Sequence, residues 1–320
     1  MLAIGIDIGG TKIAGAIVSS SGEILNELRV PSPAQDPDQM IDVVVGLIKE
    51  LQLSSSEPIV AAGVAAAGFI DADQSTILYA PNLNWRNEPF RDRLTAHLDL
   101  PVFIENDANA AGWAEFRFGA GQGHQHMVML TLGTGVGGAI IVDGKMLRGG
   151  FGVAGELGHM RVVPEGIACG CGQRGCIESY ASGTALLRTA NELVDSGDPA
   201  GKRLNELKAA AGQLTGAEVY QALVERDPGA VQLLRNLASW LGQAIASLSA
   251  ILDPEIVVIG GGVSQAGEIL LEPVREAFRK YAPAGGFRPE LSIVTAEFVN
   301  DAGVVGAADL ARVSLGPKVN

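Results

Sequence analysis

The three cysteines of the chain, Cys169, Cys171 and Cys176, all lie within eight residues, and His159 precedes the first of them by ten positions. Zinc in structural sites prefers four tetrahedral nitrogen and sulfur ligands, and a Cys3His set fills that shell. Glycines between the cysteines allow the loop to fold tightly around an ion. Three clustered cysteines are not typical of a disulfide framework. The spacing therefore predicts one structural zinc ion per chain, held by these four side chains.

Two short glycine-rich turns follow apolar runs and have the composition of phosphate-binding loops. The residues that could contact phosphate are Asp7, Gly9, Gly10, Thr11 and Lys12 in the first turn, and Gly133, Thr134 and Gly135 in the second. Backbone N–H groups of such turns can point at phosphate oxygens because no Cβ blocks the approach. Either turn alone could be an ordinary hairpin turn, whereas the two together predict that both turns bind the phosphates of one nucleotide. A third run, Gly260, Gly261 and Gly262, either leaves room for the nucleoside or forms a plain strand-to-helix turn.

Several carboxylates lie close to these motifs in the sequence. Asp107 follows Asn106 at the end of a short apolar run, and Glu156 and Glu178 flank the cysteine segment. Taken alone, each carboxylate is more typical of a surface charge or a helix cap than of a catalytic group. The residues by themselves leave both interpretations open.

The motifs resemble, in order and spacing, those of the ROK family within the actin-like sugar kinases, and among them the actinobacterial-type glucokinases. The resemblance covers nearly the whole chain. The segments that carry it are DIGGTK (7–12), PNLNW (81–85), ENDANAA (105–111), LGTGVGGAI (132–140), GELGHM (155–160), CGCGQRGCIE (169–178) and IGGGV (259–263).

The resemblance implies a role for each candidate residue. Asp107 would be the general base that takes the proton from the 6-hydroxyl of the sugar. The sugar would be bound by Asn82, Asn106, Asp107, Glu156, His159 and Glu178. His159 would bind zinc through one ring nitrogen and the sugar through the other, since a metal-bound imidazole has a fixed tautomer and donates through its free N–H. Mg²⁺ would accompany ATP and neutralise charge on its phosphates.

The implied function is ATP-dependent phosphorylation of glucose at its 6-hydroxyl, giving glucose 6-phosphate and ADP. Kinases of N-acetylglucosamine, N-acetylmannosamine, fructose or mannose share much of this motif set, and polyphosphate is a conceivable donor. A non-catalytic sugar-responsive regulator of the family would carry a helix-turn-helix module ahead of the fold, whereas the first turn here begins at Asp7. A non-catalytic actin-like ATPase would need neither the ENDANAA segment nor the cysteines.

The elements that must position these residues follow from the apolar pattern. A strand, a glycine turn and a second strand occur at 2–18 and again at 127–142, which suggests an internal duplication. Residues 37–51 have apolar positions at helical spacing, and 178–250 is largely helical. With the resemblance, we expect an α/β, actin-like (ribonuclease H-like) duplicated fold of two lobes with a cleft between them. The small lobe would be 1–108 plus 302–320, and the large lobe 109–301.

The composition of the chain limits the classes of molecule that it can bind. The chain has 320 residues, 47% of them hydrophobic, and a formal net charge of −13. This charge argues against nucleic acid, whose binding depends on lysine and arginine. The N-terminus lacks the pattern of a signal peptide, and no apolar run reaches the roughly 20 residues of a membrane helix. We therefore expect a cytoplasmic protein that binds a sugar and ATP and, as is usual in the family, forms a homodimer or homotetramer.

Overall fold

A computed structural model describes residues 1–34, 36–80, 83 and 85–316. The chain forms two compact units, each made of more than one segment. The first unit contains Met1–Gln125, Ala139–Gly155 and the described residues from Glu297 onward, and the second contains His126–Gly138 and Glu156–Ala296. Among the described residues, no helix is both long enough and apolar enough to cross a membrane.

The N-terminal part of the chain is a mixed α/β structure. Its elements are β1 (Leu2–Ile8), β2 (Lys12–Val18), β3 (Ile24–Pro31), α1 (Pro37–Ser54), β4 (Ile59–Ala66), β5 (Phe69–Ile70), β6 (Ile77–Ala80), β7 (Trp85–Glu88), α2 (Phe90–Thr95), β8 (Val102–Asn106) and α3 (Asp107–Phe118). The predicted helix at 37–51 is confirmed as α1. It begins where the Asp36 carboxylate accepts hydrogen bonds from Asp38 N and Gln39 N, which satisfies two of the unpaired donors of the first turn.

The rest of the chain repeats the strand pattern and adds most of the helices. Its elements are β9 (Met127–Leu132), β10 (Val136–Val142), β11 (Lys145–Met146), α4 (Glu178–Ala181), α5 (Gly183–Asp195), α6 (Lys202–Ala211), α7 (Gly216–Val224), α8 (Pro228–Leu252), β12 (Ile256–Gly260), α9 (Glu268–Tyr281), β13 (Ser292–Thr295) and α10 (Ala302–Ser314). The predicted helical region at 178–250 is confirmed as α4 to α8.

The two large sheets have matching topology. Their strand orders are β3-β2-β1-β4-β8 and β11-β10-β9-β12-β13, while β5, β6 and β7 form a small separate sheet. In the first sheet β1 pairs antiparallel with β2 and parallel with β4, and β4 pairs parallel with β8. In the second sheet β9 neighbours β10 and pairs parallel with β12, which pairs parallel with β13. The predicted internal duplication is thereby confirmed.

The register of the first sheet brings three strand ends to one edge. Asp7 on β1 pairs with Ala65 on β4, and Ala65 pairs with Glu105 on β8. The carboxyl ends of parallel strands meet at one edge of a sheet, where α/β proteins commonly bind ligands. Asp107 begins α3 directly after β8, so it lies at the same edge as Asp7.

Helix α10 packs on this sheet with almost no side-chain layer between the backbones. A Cβ on Gly5 of β1 would overlap the carbonyl oxygen of Val304, and one on Gly63 of β4 would overlap that of Ala307. A Cβ on Gly306 of α10 would overlap a carbonyl oxygen of α3. Glycine is therefore required at all three positions, because any side chain would push α10 away from the sheet or from α3.

Candidate active site and metal centre

The four predicted metal ligands lie together in the second unit. The ligand atoms of His159, Cys169, Cys171 and Cys176 all lie within 4.8 Å of one another. Cys171 Sγ is 3.7 Å from Cys176 Sγ, and Cys169 Sγ is 3.6 Å from His159 Nδ1. A tetrahedral ion with Zn–S near 2.3 Å and Zn–N near 2.05 Å would separate two sulfurs by about 3.8 Å, and sulfur from nitrogen by about 3.6 Å. The cluster can therefore hold a metal ion.

Backbone hydrogen bonds and glycines shape the loop that holds these ligands. Cys169 N donates to Gln173 O at 2.8 Å, and Gly175 N donates to Ile167 O at 2.8 Å. Gly175 has a φ of +79°, and a Cβ there would overlap the carbonyl oxygen of Val163. The loop thus holds its shape through its own backbone, as the glycine spacing predicts.

The ring of His159 has a defined orientation at the end of a 3₁₀ turn, Leu157–His159. Its Nδ1 faces Cys169 Sγ, and its Nε2 lies 3.9 Å from Glu156 Oε2. Nδ1 is therefore the nitrogen available to a metal, while Nε2 lies on the side of the ring next to the Glu156 carboxylate. The sequence predicted two roles for this ring without indicating which nitrogen has which.

Glu178 links the metal loop to the second glycine turn. Its Oε2 accepts a hydrogen bond from Val136 N at 3.0 Å, and its Oε1 lies 3.4 Å from Cys169 Sγ. A Cβ on Gly135 would overlap this carboxylate, which explains why glycine occupies that position of the turn. The sequence placed Glu178 beside the cysteines but gave no sign of its contact with the turn 42 residues earlier.

The second glycine turn is also fastened by the start of α5. Gly183 N donates to Gly133 O at 2.8 Å, and Thr184 Oγ1 donates to Thr134 O at 2.7 Å. Within the turn, Gly133 N donates to Gly135 O at 3.0 Å. Thr184 is a residue that the sequence reasoning missed. The only signal for it was the Ser-Gly-Thr segment at 182–184, which has the composition of a helix cap.

The third glycine run lies at the end of β12, where Gly260 is the last residue of the strand. Gly261 has a φ of +82°, and a Cβ there would lie 2.5 Å from Leu132 O. A 3₁₀ turn, Gly262–Ala266, follows. Gly261 therefore packs against the end of β9. Contact of Gly260, Gly261 and Gly262 with a nucleoside stays a prediction.

The first glycine turn is a tight, solvent-facing connection between β1 and β2. Gly9 N donates to Lys12 O at 3.0 Å, and Gly10, Thr11 and Lys12 are exposed. Asp7 lies behind the turn, half-buried on β1. The turn is therefore accessible to a ligand, with a carboxylate at its base.

Asp7 and Asp107 both lie at the carboxyl edge of the first sheet, and the pKa of each is raised. Burial, and after it the negative charge of Asp107, raise the pKa of Asp7 to about 6, although Lys12 partly opposes the shift. Burial also raises the pKa of Asp107, and the N–H of Ala108, which donates to Asp107 Oδ1 at 2.9 Å, partly offsets that effect. The first unit therefore holds two carboxylates with weakened acidity close to each other, an arrangement typical of functional sites.

Two asparagines, Asn82 and Asn106, are predicted to bind the sugar. Asn106 is the N-cap of α3: its Oδ1 accepts from Asn109 N at 3.0 Å, and its Nδ2 donates to Gly68 O at 3.1 Å. Its side chain thus has a structural duty that holds Asp107 at the first position of the helix. Asn82 lies outside the described residues.

Comparison with known proteins identifies the family. A sequence profile of the ROK family matches residues 3–314. The chain belongs to the ROK family. It is 42% identical over 312 residues to a glucokinase of Streptomyces coelicolor, covering 97% of this chain and 98% of that one. It is 40% identical to a glucokinase of Halalkalibacterium halodurans, covering 97% and 94% of the two chains.

Solved structures of ROK proteins have the same fold. A ROK family glucokinase from Streptomyces griseus, in complex with glucose and AMPPNP, superposes with a TM-score of 0.86. The two sequences are 42% identical, and the match covers 98% of this chain and all of the other. The predicted α/β, actin-like sugar-kinase fold is therefore confirmed.

Proposed function

We propose that this ROK protein is a glucokinase, which transfers the γ-phosphoryl group of ATP to the 6-hydroxyl of glucose. The observation that carries the proposal is the 42% identity, over nearly the full length of both chains, to a ROK glucokinase whose structure was determined with glucose and AMPPNP. The carboxylates, the glycine turns and the metal cluster of this chain supply groups suited to that reaction.

Asp107 is proposed as the general base. Its raised pKa makes the carboxylate a stronger proton acceptor than an exposed aspartate, and a base with a pKa nearer the working pH is more effective. The hydrogen bond from Ala108 N fixes the position of Oδ1 and leaves Oδ2 as the oxygen we assign to the 6-hydroxyl proton. In phosphoryl transfer the protein chiefly positions reactants and stabilises charge, so this placement matters more than basicity alone.

The remaining sugar contacts are assigned to Asn82, Asn106, Glu156, His159 and Glu178. For His159 the ring orientation supports a division of roles, with Nδ1 on the metal and Nε2 on a sugar hydroxyl. The ion is proposed to be a structural Zn²⁺, because a closed set of three thiolates and one imidazole suits zinc and leaves no open coordination position. Bound zinc would fix the tautomer and orientation of the imidazole.

The nucleotide is assigned to the glycine turns. The residues proposed to contact it are Asp7, Gly9, Gly10, Thr11, Lys12, Gly133, Thr134, Gly135, Gly260, Gly261 and Gly262. Accessible backbone N–H groups and the Lys12 ammonium would bind the phosphates, and Mg²⁺ bound with ATP would neutralise charge on them. Since ATP is the donor, we expect the protein to act in the cytoplasm. As is usual in the family, we expect it to form a homodimer or homotetramer.

The proposal is tested by ADP release measured in a coupled assay. The purified protein is given ATP and Mg²⁺ with glucose, N-acetylglucosamine, N-acetylmannosamine, fructose or mannose. Polyphosphate then replaces ATP, and because that donor releases no ADP, formation of the sugar phosphate is measured instead. We expect the highest kcat/KM with glucose and ATP. A higher kcat/KM for another hexose would move the assignment to that sugar, and ADP release that does not depend on any sugar would refute a hexose kinase.

A further inference from the structure

A buried carboxylate without an assigned role lies two residues before Asp107. Glu105, the fourth residue of β8, is 4% exposed, and its carboxylate accepts four hydrogen bonds. Its Oε1 accepts from Asn106 N and from Asn109 Nδ2, each at 3.0 Å. Both donors belong to the turn that starts α3, so the Glu105 carboxylate holds the segment that contains Asp107.

The other carboxylate oxygen binds an arginine from a distant part of the same unit. Arg148 Nε donates to Glu105 Oε2 at 2.7 Å, and Arg148 Nη2 forms an ion-pair contact of 2.6 Å with the same oxygen. The Arg148 side chain is 25% exposed and that of Glu105 is 6% exposed, so the pair is partly shielded from water. Charge-assisted hydrogen bonds of this length are among the strongest that side chains make.

Arg148 begins a glycine-rich segment, residues 148–155, which directly precedes Glu156 in the chain. Arg148 O accepts from Ala154 N at 3.0 Å, which closes the segment into a loop. Gly152 has a φ of +88°, and a Cβ there would overlap the backbone of Asp71 and Ala72. The loop therefore lies against the turn at 70–72, and Arg148 ties its first residue to the carboxyl edge of the sheet.

The neighbouring turn contributes the fourth hydrogen bond. The Asp71 carboxylate accepts from Ser75 N, Thr76 N and Ser75 Oγ, which makes the turn rigid. Gln74, with a φ of +51°, donates from Nε2 to Glu105 Oε2 at 3.1 Å and to Ile104 O at 3.2 Å. Three segments, namely the 71–76 turn, the 148–155 loop and the start of α3, thus converge on one carboxylate.

We infer that Glu105 and Arg148 are positioning residues for phosphoryl transfer. Their partly buried ion pair sets the placement of Asp107 on one side and of the loop leading into Glu156 on the other. The inference rests on the proposed function, because it assigns these two residues to the reaction in which Asp107 is the base. Neither residue is proposed to touch the substrate.

The test uses the full-length protein with three variants, Arg148→Met, Glu105→Gln and the double variant. Losing Arg148 alone leaves a buried carboxylate without its cation, which destabilises the fold, whereas removing both charges restores neutrality and stability. Misplacement of a reacting group by about 1 Å costs on the order of 100-fold in rate. We therefore expect each single variant to lose 10- to 100-fold in kcat, with the KM for ATP within twofold of the wild-type value.

The double variant separates positioning from stability. We expect its melting temperature to return towards that of the wild type while kcat stays 10- to 100-fold low. Arg203→Met is the matched control, since Arg203 makes an equally short pair with Glu225, whose side chain is 38% exposed compared with 6% for Glu105, and it should keep kcat and KM within twofold. As a second readout, added guanidinium should partly restore kcat of an Arg148→Ala variant.

Two results would overturn the inference. One is a kcat for Arg148→Met within twofold of wild type, and the other is a double variant that recovers kcat together with its melting temperature. All rates are compared with the wild type on its best sugar at a temperature where every variant is folded. Failure of the proposed function would appear separately, as a wild-type protein without sugar-dependent ADP release.

Discussion

Replacing Asp7 with asparagine should make the fold more stable at neutral pH while impairing nucleotide-dependent activity. Burial and the charge of Asp107 raise the pKa of Asp7 to about 6, compared with 3.8 in an unfolded chain. A folded-state pKa above the unfolded value means that the folded chain holds this proton more tightly. The contribution of this bound proton to the free energy of unfolding is fully present below about pH 3.8, falls as pH rises, and is lost above about pH 6.

The size of the effect follows from the shift. About two pKa units, at about 1.4 kcal/mol each, mean that ionised Asp7 costs the fold about 3 kcal/mol at pH 8. At pH 5 the folded group is mostly protonated and the unfolded group is mostly ionised, so the cost there is about 1.6 kcal/mol. An uncharged asparagine of the same shape removes this cost. With an unfolding entropy of about 2.1 cal/mol/K per residue, 3 kcal/mol corresponds to a rise of about 4–5 °C in melting temperature.

Thermal unfolding of wild type and Asp7→Asn at pH 5 and pH 8, in buffer without nucleotide or Mg²⁺, measures this difference. Asp42→Asn is the control, because Asp42 is exposed on α1 and should give no gain at either pH. The Asp7→Asn gain should be about twice as large at pH 8 as at pH 5. A variant that is less stable than wild type at pH 8, or a gain that does not depend on pH, would refute the reasoning.

Three further predictions concern the base, the metal and the packing. Asp107→Ala should lower kcat by 10²- to 10⁴-fold with an unchanged circular dichroism spectrum, and near-normal turnover would exclude Asp107 as the base. Cys171→Ser should reduce both the zinc content, measured by atomic emission, and the affinity for glucose, and one zinc ion retained per chain would contradict the ligand assignment. Gly63→Ala should cost about 3 kcal/mol in urea unfolding because its Cβ would overlap a carbonyl of α10, whereas Gly46→Ala on α1 meets no atom within 4 Å and should be neutral or mildly stabilising.

The metal site was the part most readily predicted from the sequence. Three of its ligands lie within eight residues, so local spacing already restricts them to one loop, and the glycines among them indicate how that loop can close. His159 joins them through the isolated bridge that pairs Arg161 with Cys176, a contact that spacing alone does not reveal. The choice of Nδ1 as the metal-facing nitrogen likewise depends on the 3₁₀ turn before the ring.

The duplication of the fold was predictable for a similar reason. Each strand–turn–strand unit is continuous in sequence, and its apolar runs and glycine turn recur at 2–18 and 127–142. What could not be predicted were contacts between residues far apart in the chain. Glu178 meets Val136, and Arg148 meets Glu105, across 42 and 43 positions. Neither periodicity nor composition predicts such contacts, because they depend on the order of the strands in the folded sheets.

Asn106 shows a different limit of sequence reasoning. The resemblance predicted a sugar contact, whereas the structure shows its Oδ1 capping α3 and its Nδ2 bound to Gly68 O. An N-cap contributes about 1 kcal/mol to helix stability, and here it also fixes where the helix begins. The two duties are compatible, because each amide oxygen has a second lone pair and each amide nitrogen a second hydrogen.

The residues that decide where the two carboxylates lie are largely glycines with no chemistry of their own. Gly303, at the second position of α10, approaches Asp7 so closely that a Cβ would lie 2.5 Å from Oδ2. Gly306, one turn later, contacts the backbone of Ala110 on α3, the helix that begins at Asp107. One helix therefore contacts the Asp7 carboxylate and, backbone against backbone, the helix of the proposed catalytic base. Since backbone atoms cannot change rotamer to relieve a clash, a shift of α10 towards α3 would displace the helix that begins at Asp107, so the position of Asp107 depends on the packing of α10.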